Sequence, residues 1–258
     1  MRHLFLAALL LAPLVAQAHD DCKFQAPRNL QLDLAGVKSL QVDLHSYDLH
    51  LNGDAGARTG ELTGRACASD QQLLDSLVVT QRREGDVLIV DAGGSRDHIM
   101  FNLTGRSYTN LELNLKVPAL LPVTLNVGSG DAWVTGLQRL DAHVGSGDLH
   151  VNKIAGPLSA SVGSGDVDAS DIGSLDLGAV GSGDFKVDGI KGNARVGSIG
   201  SGDVALSRVG GNVQADTLGS GDLTVREVNG DLSLGAKGSG DVNHSGVRGK
   251  VNVPRDRD

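Results

Sequence analysis

Through the second half of the chain, apolar and polar positions alternate in short bursts. The first and third residues after certain aspartates are apolar, as in Leu149/Val151, Phe185/Val187, Val204/Leu206 and Leu223/Val225. A period of two marks a strand that buries one face. Six residues after each of these aspartates stands another aliphatic: Leu137, Ile154, Ile172, Ile190, Val209, Val228 and Val247. A second alternating pair follows a glycine-containing turn, as in Leu158/Ala160, Leu175/Leu177, Val213/Ala215, Leu232/Leu234 and Val251/Val253. Each unit therefore reads as one coil of short strands joined by tight turns.

The units are marked off by Gly-Ser-Gly-Asp, which begins at Gly128, Gly145, Gly163, Gly181, Gly200, Gly219 and Gly238, at spacings of 17, 18, 18, 19, 19 and 19 residues. A fixed period of this length is the signature of a solenoid, in which each repeat buries its apolar side only against its neighbours. Stacked at about 4.7–4.9 Å per coil, seven coils give a rod of roughly 34 Å. Parallel crossovers are nearly always right-handed, and the six-residue beat of the left-handed hexapeptide helix is absent. The predicted fold is all-β: a right-handed parallel β-helix of about 18–19 residues per coil. In the seventh repeat Lys237 replaces the aliphatic before Gly-Ser-Gly and His244 takes an inward position, which suits an end rung whose open edge must not invite aggregation.

The first half lacks the strict repeat but keeps strand patterns, for example in 29–34, 40–44, 48–52, 86–91 and 111–117. These segments are expected to begin the same stack as irregular rungs. One short helix is predicted near 69–77, with Ser69 and Gln72 as a capping box, covering the N-terminal end. The chain thus divides into a leader (1–18), irregular rungs and cap (19–126), the seven-repeat solenoid (127–253) and a charged tail (254–258).

Composition fits an elongated body: aromatics are 3 % of the chain, so the core must be filled with Val, Leu, Ile and Ala. Arg2 and His3 precede an apolar run from Leu4 to Ala16 that ends Ala16-Gln17-Ala18, the pattern of a cleavable secretory signal and too short to span a bilayer. Cys22 lies four residues beyond Ala18, which argues against a lipoprotein. Removing Arg2 with the leader leaves 22 basic and 31 acidic residues, a net charge of −9. That balance argues against nucleic acid or anionic lipid as partners. Cys22 and Cys67 are the only cysteines, and export to an oxidising compartment predicts a disulfide between them.

The repeat, preceded by segments such as YDLHLNG and LELNLKVPALLPVTLNV, resembles the bacterial "putative adhesin", or toast-rack, domain over about residues 30–253. The resemblance implies a right-handed β-solenoid displayed in the cell envelope, periplasmic or secreted, with relatives linked to envelope-stress sensing or surface attachment. It carries over no catalytic residues. An envelope protein or a glycan is the implied kind of partner.

Three chemistries are conceivable from the residues themselves. A polysaccharide-active enzyme needs carboxylates converging at a defined separation, whereas here the aspartates form a regular column, Asp131, Asp148, Asp166, Asp184, Asp203, Asp222 and Asp241. That column could form a cation ladder as a calcium-dependent structural module, but one Gly-x-Gly-Asp per coil departs from the calcium-binding nonapeptide, so hydrogen-bonded turns are preferred. The glycines are expected to supply positive φ at the corners, with Ser and Asp bonding their own backbone. No P-loop ending follows any repeat, and no cofactor is expected. The histidines, His19, His45, His50, His98, His143, His150 and His244, are scattered without zinc-ligand spacing and read as solvated or turn-packing. One stretch, 91–110, gathers His98 and Met100 with Arg96, Phe101, Arg106 and Tyr108, a candidate interface in a chain otherwise poor in aromatics.

Overall fold

In the computed structural model, which describes residues 22–93 and 107–254, the chain forms one 21-stranded sheet wound into a flattened solenoid. The first half supplies β1 (Phe24–Pro27), β2 (Leu30–Leu32), β3 (Ser39–Leu44), β4 (Asp48–Asp54), β5 (Gly60–Ala68), a helix α1 (Gln71–Ser76), β6 (Val79–Glu84), β7 (Val87–Ala92) and β8 (Thr109–Pro118). The repeats follow as β9 (Val123–Val127), β10 (Ala132–Thr135), β11 (Leu140–Val144), β12 (Leu149–Val162), β13 (Val167–Val180), β14 (Phe185–Ile190), β15 (Ala194–Ile199) and β16 (Val204–Val209). The last coils comprise β17 (Val213–Leu218), β18 (Leu223–Val228), β19 (Leu232–Lys237), β20 (Val242–Val247) and β21 (Val251–Asn252).

Each coil lays one strand on a front face and one on a back face. Strands that follow an Asp stack on the front as β4, β10, β12, β13, β14, β16, β18 and β20, all parallel. Strands that precede Gly-Ser-Gly stack on the back as β9, β11, β12, β13, β15, β17 and β19, continued by β3 at one end and β21 at the other. The inward residues of both faces meet in one apolar column from Leu40 to Leu234. Six of the seven aliphatics six residues beyond the Asp are 0–1 % exposed. Phe185 is the fully buried ring of the core.

The rungs do not stack in sequence order. The pair β3–β4 lies between β7–β8 on one side and β9–β10 on the other, through the parallel pairings β3–β7, β3–β9, β4–β8 and β4–β10. From β8 the chain steps over this interposed rung through residues 119–122 to begin β9. Two rung spacings are within reach of so short an extended segment. Beyond β7–β8 the winding ends in antiparallel strands: β5 pairs with β8, β6 with β7, and β1 and β2 with β5.

The helix begins one residue later than the capping box placed it. Its N-cap is Asp70, whose carboxylate accepts the Leu73 N–H at 2.9 Å, while Ser69 donates to the Asp70 carboxylate at 3.3 Å. Asp competes as well as Ser for this position, and the adjacent pair hid which would win. Leu74 and Leu77 are buried, and the Arg28 guanidinium donates to the carbonyls of both. Cys22 and Cys67 form the expected disulfide across 45 residues. In the chain-entropy picture it contributes about 4 kcal/mol by restricting the unfolded chain.

The corner glycines require a correction. None of the Gly-Ser-Gly glycines has positive φ. A Cβ on the second glycine of a repeat would instead collide with the carbonyl oxygen of the equivalent glycine in the preceding coil, as for Gly183 against Gly165. The corners stack backbone on backbone, with Ser164 N–H donating to Gly145 O at 2.7 Å and Gly165 N–H to the same oxygen at 3.1 Å. Positive φ occurs elsewhere in the coil, five residues after the Asp, at Gly136, Lys153, Asp171, Gly189, Arg208, Glu227 and Gly246.

Candidate functional site

The aspartate column is a hydrogen-bonded ladder. Asp148 N–H donates to Asp131 Oδ1 at 3.1 Å, Asp166 N–H to Asp148 Oδ1 at 3.3 Å and Asp184 N–H to Asp166 Oδ1 at 2.9 Å. Asp222 and Asp241 repeat the bond onto Asp203 and Asp222. Asp131, Asp148, Asp166, Asp203 and Asp222 thus serve the next coil's backbone, not their own as the turn chemistry suggested, while Asp184 accepts from Lys186 Nζ at 3.2 Å. The ladder begins one rung earlier than the repeats do, because Asp131 N–H donates to Asp48 Oδ1 at 3.3 Å. Residues 45–48, His-Ser-Tyr-Asp, are an eighth corner, with Gly128 N–H bonded to Leu44 O at 2.7 Å and Ser129 N–H to His45 O at 2.6 Å. A parallel ladder on the opposite edge runs Asn193, Asn212, Asp231, each side chain accepting from the residue one coil on at 2.7–2.9 Å. No cluster of three or more His, Cys, Asp or Glu is placed to hold a metal among the described residues.

Of the candidate interface, Arg96, Phe101, Arg106, His98 and Met100 lie outside the described residues. Tyr108 is exposed, its hydroxyl accepts the Lys23 N–H at 3.0 Å and its carbonyl the Ser69 N–H at 3.0 Å. It is thereby tied to the first strand and to the helix start. Ala92 pairs with Leu44 and Glu112 with Asp48, so 19 residues of sequence, 93–111, separate positions that three residues, 45–47, separate in the next rung.

The back face brings Ser161, His143 and Asp141 together, the ingredients of a nucleophile relay. Ser161 Oγ lies 2.8 Å from His143 Nδ1, but Asp141 is 3.8 Å from Nε2, beyond hydrogen-bond reach. The neighbouring Gly145 and Gly163 N–H groups are bound to the carbonyls of Val127 and Val144 at 2.8 Å. They cannot also stabilise an oxyanion.

The front face holds the most distinctive site. Two residues after the corner aspartates Asp48, Asp131 and Asp148 stand His50, Trp133 and His150, in register on β4, β10 and β12. Their rings stack, with centroids 4.6 and 5.7 Å apart and planes within 16° and 22°. They floor an open groove of about 940 Å³ that reaches across to Thr63 and Asn114 on β5 and β8. The carboxamides of Asn52 and Asn152 flank the stack, and Asn152 donates to Ser170 at 2.7 Å. Lys116 at the groove edge is held by Asp54 at 2.6 Å. The ammonium in turn pulls the Asp54 carboxyl below its usual range, chiefly through that hydrogen bond. Sequence reading treated these histidines as scattered. The signal was their shared offset from an aspartate, hidden because His45 and Tyr47 replace the glycines of the first corner.

Several solved structures align with the chain along most of its length. A "putative lipid binding protein" from Parabacteroides distasonis aligns over 89 % of this chain and 97 % of its own at 19 % identity and TM-score 0.49. A "putative adhesin" from Bacteroides fragilis aligns over 90 % and 98 % at 15 % identity and TM-score 0.40, and another from P. distasonis over 90 % and 97 % at 15 % identity and TM-score 0.43. Among curated proteins nothing matches. Residues 68–247 match the family model described as "Putative auto-transporter adhesin, head GIN domain", and the chain belongs to that family.

Proposed function

We propose that the protein is exported by cleavage after Ala18 and acts, without catalysis, as an adhesin-like binding scaffold of the periplasm or cell surface, engaging an envelope protein or glycan. The observation that carries this reading is the construction of the outer surface. Among the described residues, successive rungs join through short corners, so each face is a broad, rigid array of outward side chains in fixed register. Rigid faces suit recognition, because little conformational entropy is lost on binding. The disulfide accords with an oxidising compartment. Family membership supports surface attachment as the general role. No helix among the described residues is long and apolar enough to cross a membrane.

The test is to express the full chain in its host, fractionate the cells, and determine the N-terminus of the exported protein together with its retention on isolated envelopes. A mature chain starting at His19 that binds envelopes saturably is expected. Recovery in the cytosol with the leader intact, or no saturable retention, overturns the proposal.

A further inference from the structure

We propose that the groove over His50, Trp133 and His150 is a binding site for an uncharged glycan chain. This rests on the binding-scaffold reading and names the ligand of one face. A sugar presents C–H faces that pack on aromatic rings and hydroxyls that both donate and accept hydrogen bonds. The groove offers both kinds of complement. Contact between stacked rings needs about 3.5–4.0 Å, so a 5.7 Å centroid separation means that His150 is slid or lifted away from the indole. Trp133 is accordingly half-buried, not covered. Around it, the exposed carboxamides of Asn52 and Asn114 make no side-chain hydrogen bond among the described residues, so their donors and acceptors are open to a ligand.

Other occupants fit worse. His50 and His150 sit on opposite sides of the indole and cannot converge on a metal ion. An anionic ligand would meet the carboxylates of Glu61 and Asp168, while the lysine of the groove is engaged by Asp54. An apolar segment or acyl chain would bury the carboxamides of Asn52 and Asn114 without pairing them, which is costly. The shape favours a chain over a single small molecule. A second depression of about 400 Å³ shares Asp168 and Ala169 with the groove and continues along the front face past Lys186 and Ser207. Because the floor is three hydrogen-bonded rungs, its side chains are held in place before a ligand arrives.

Trp133 is the chain's single tryptophan, so its emission reports on this groove alone. The mature protein is titrated with uncharged hexasaccharides of β-linked glucose, N-acetylglucosamine and mannose, and with a sulfated oligosaccharide, and affinities are confirmed by calorimetry. A saturable emission change with at least one uncharged hexamer is expected, with affinity about tenfold weaker in Asn52→Ala/Asn152→Ala and lost in Trp133→Ala. Thermal unfolding and circular dichroism verify that the variants fold, and Trp133→Phe serves as a milder variant that keeps a ring. No response to any uncharged hexamer at about 1 mM, tighter binding of the sulfated probe, or full affinity in folded Trp133→Ala overturns the proposal. Envelope retention is measured in parallel. Retention without hexasaccharide binding sinks the groove alone and leaves the scaffold reading standing, whereas loss of both removes both.

Discussion

At the scale of single residues, the coil imposes two backbone demands that the side chains do not advertise. Five residues after each Gly-Ser-Gly-Asp aspartate the chain turns through positive φ, and at Lys153, Asp171, Arg208 and Glu227 an L-residue adopts φ of 54–59°. The left-handed conformation costs such a residue about 1–2 kcal/mol, against the 0.5–1 kcal/mol that glycine's extra freedom costs on folding. Lys153→Gly and Glu227→Gly should each therefore stabilise the protein by about 0.5–1 kcal/mol, read as a higher midpoint in urea. A lower midpoint would mean that these side chains contribute more than the strain removes. The second demand is clearance at the stacked corner. Gly183→Ala drives a methyl into the Gly165 carbonyl and should cost about 3 kcal/mol, whereas Gly178→Ala, whose Cβ would be 3.7 Å from the Ala160 oxygen, is tolerated. Equal effects of the two changes would refute the clearance argument.

At the scale of the rung, the aspartate ladder sets attraction against repulsion. Like charges one coil apart repel by about 0.9 kcal/mol in water, while at six of the seven steps from Asp48 to Asp241 a carboxylate satisfies an N–H of the next coil. Asn193 and Asn212 perform the same task on the other edge without charge, so hydrogen bonding, not charge, is what the position requires. Asp166→Asn should leave stability within about 0.5 kcal/mol of the parent, and Asp166→Ala, which removes the acceptor for Asp184 N–H, should cost about 1 kcal/mol. Calorimetric unfolding distinguishes them, and a large loss in the Asn variant would show that the negative charge itself matters.

At the scale of the molecule, the two ends of the rod are finished differently. The N-terminal end is closed by antiparallel strands, the helix and the disulfide. At the other end the register places Lys237 on Leu218 and His244 on Val225, so polar groups occupy inward columns in the last described coil. With N–H groups already pairing the carboxylates at six of the seven steps from Asp48 to Asp241, a bridging cation should add little. Unfolding in calcium and in chelator should accordingly differ by no more than a few degrees. A midpoint shift above about 10 °C would establish that calcium bridges the aspartates.

The sequence by itself determined the coil: the period, the inward columns and the corner positions are local patterns that any stacked repeat must carry, and the only two cysteines could pair only with each other. It also fixed the helix to within one residue, since N-cap chemistry is local. What it could not express is contact between residues far apart in the chain. The insertion of β3–β4 between later rungs depends on pairing β3 with β9, some 83 residues away, and no local pattern encodes which strand edges meet. The reason for the corner glycines lies in the distance to the neighbouring coil, not in their own dihedrals. The His50–Trp133–His150 stack exists only because that interposed rung brings residue 50 beside residue 133, and so tertiary structure alone decided where the front face carries its rings.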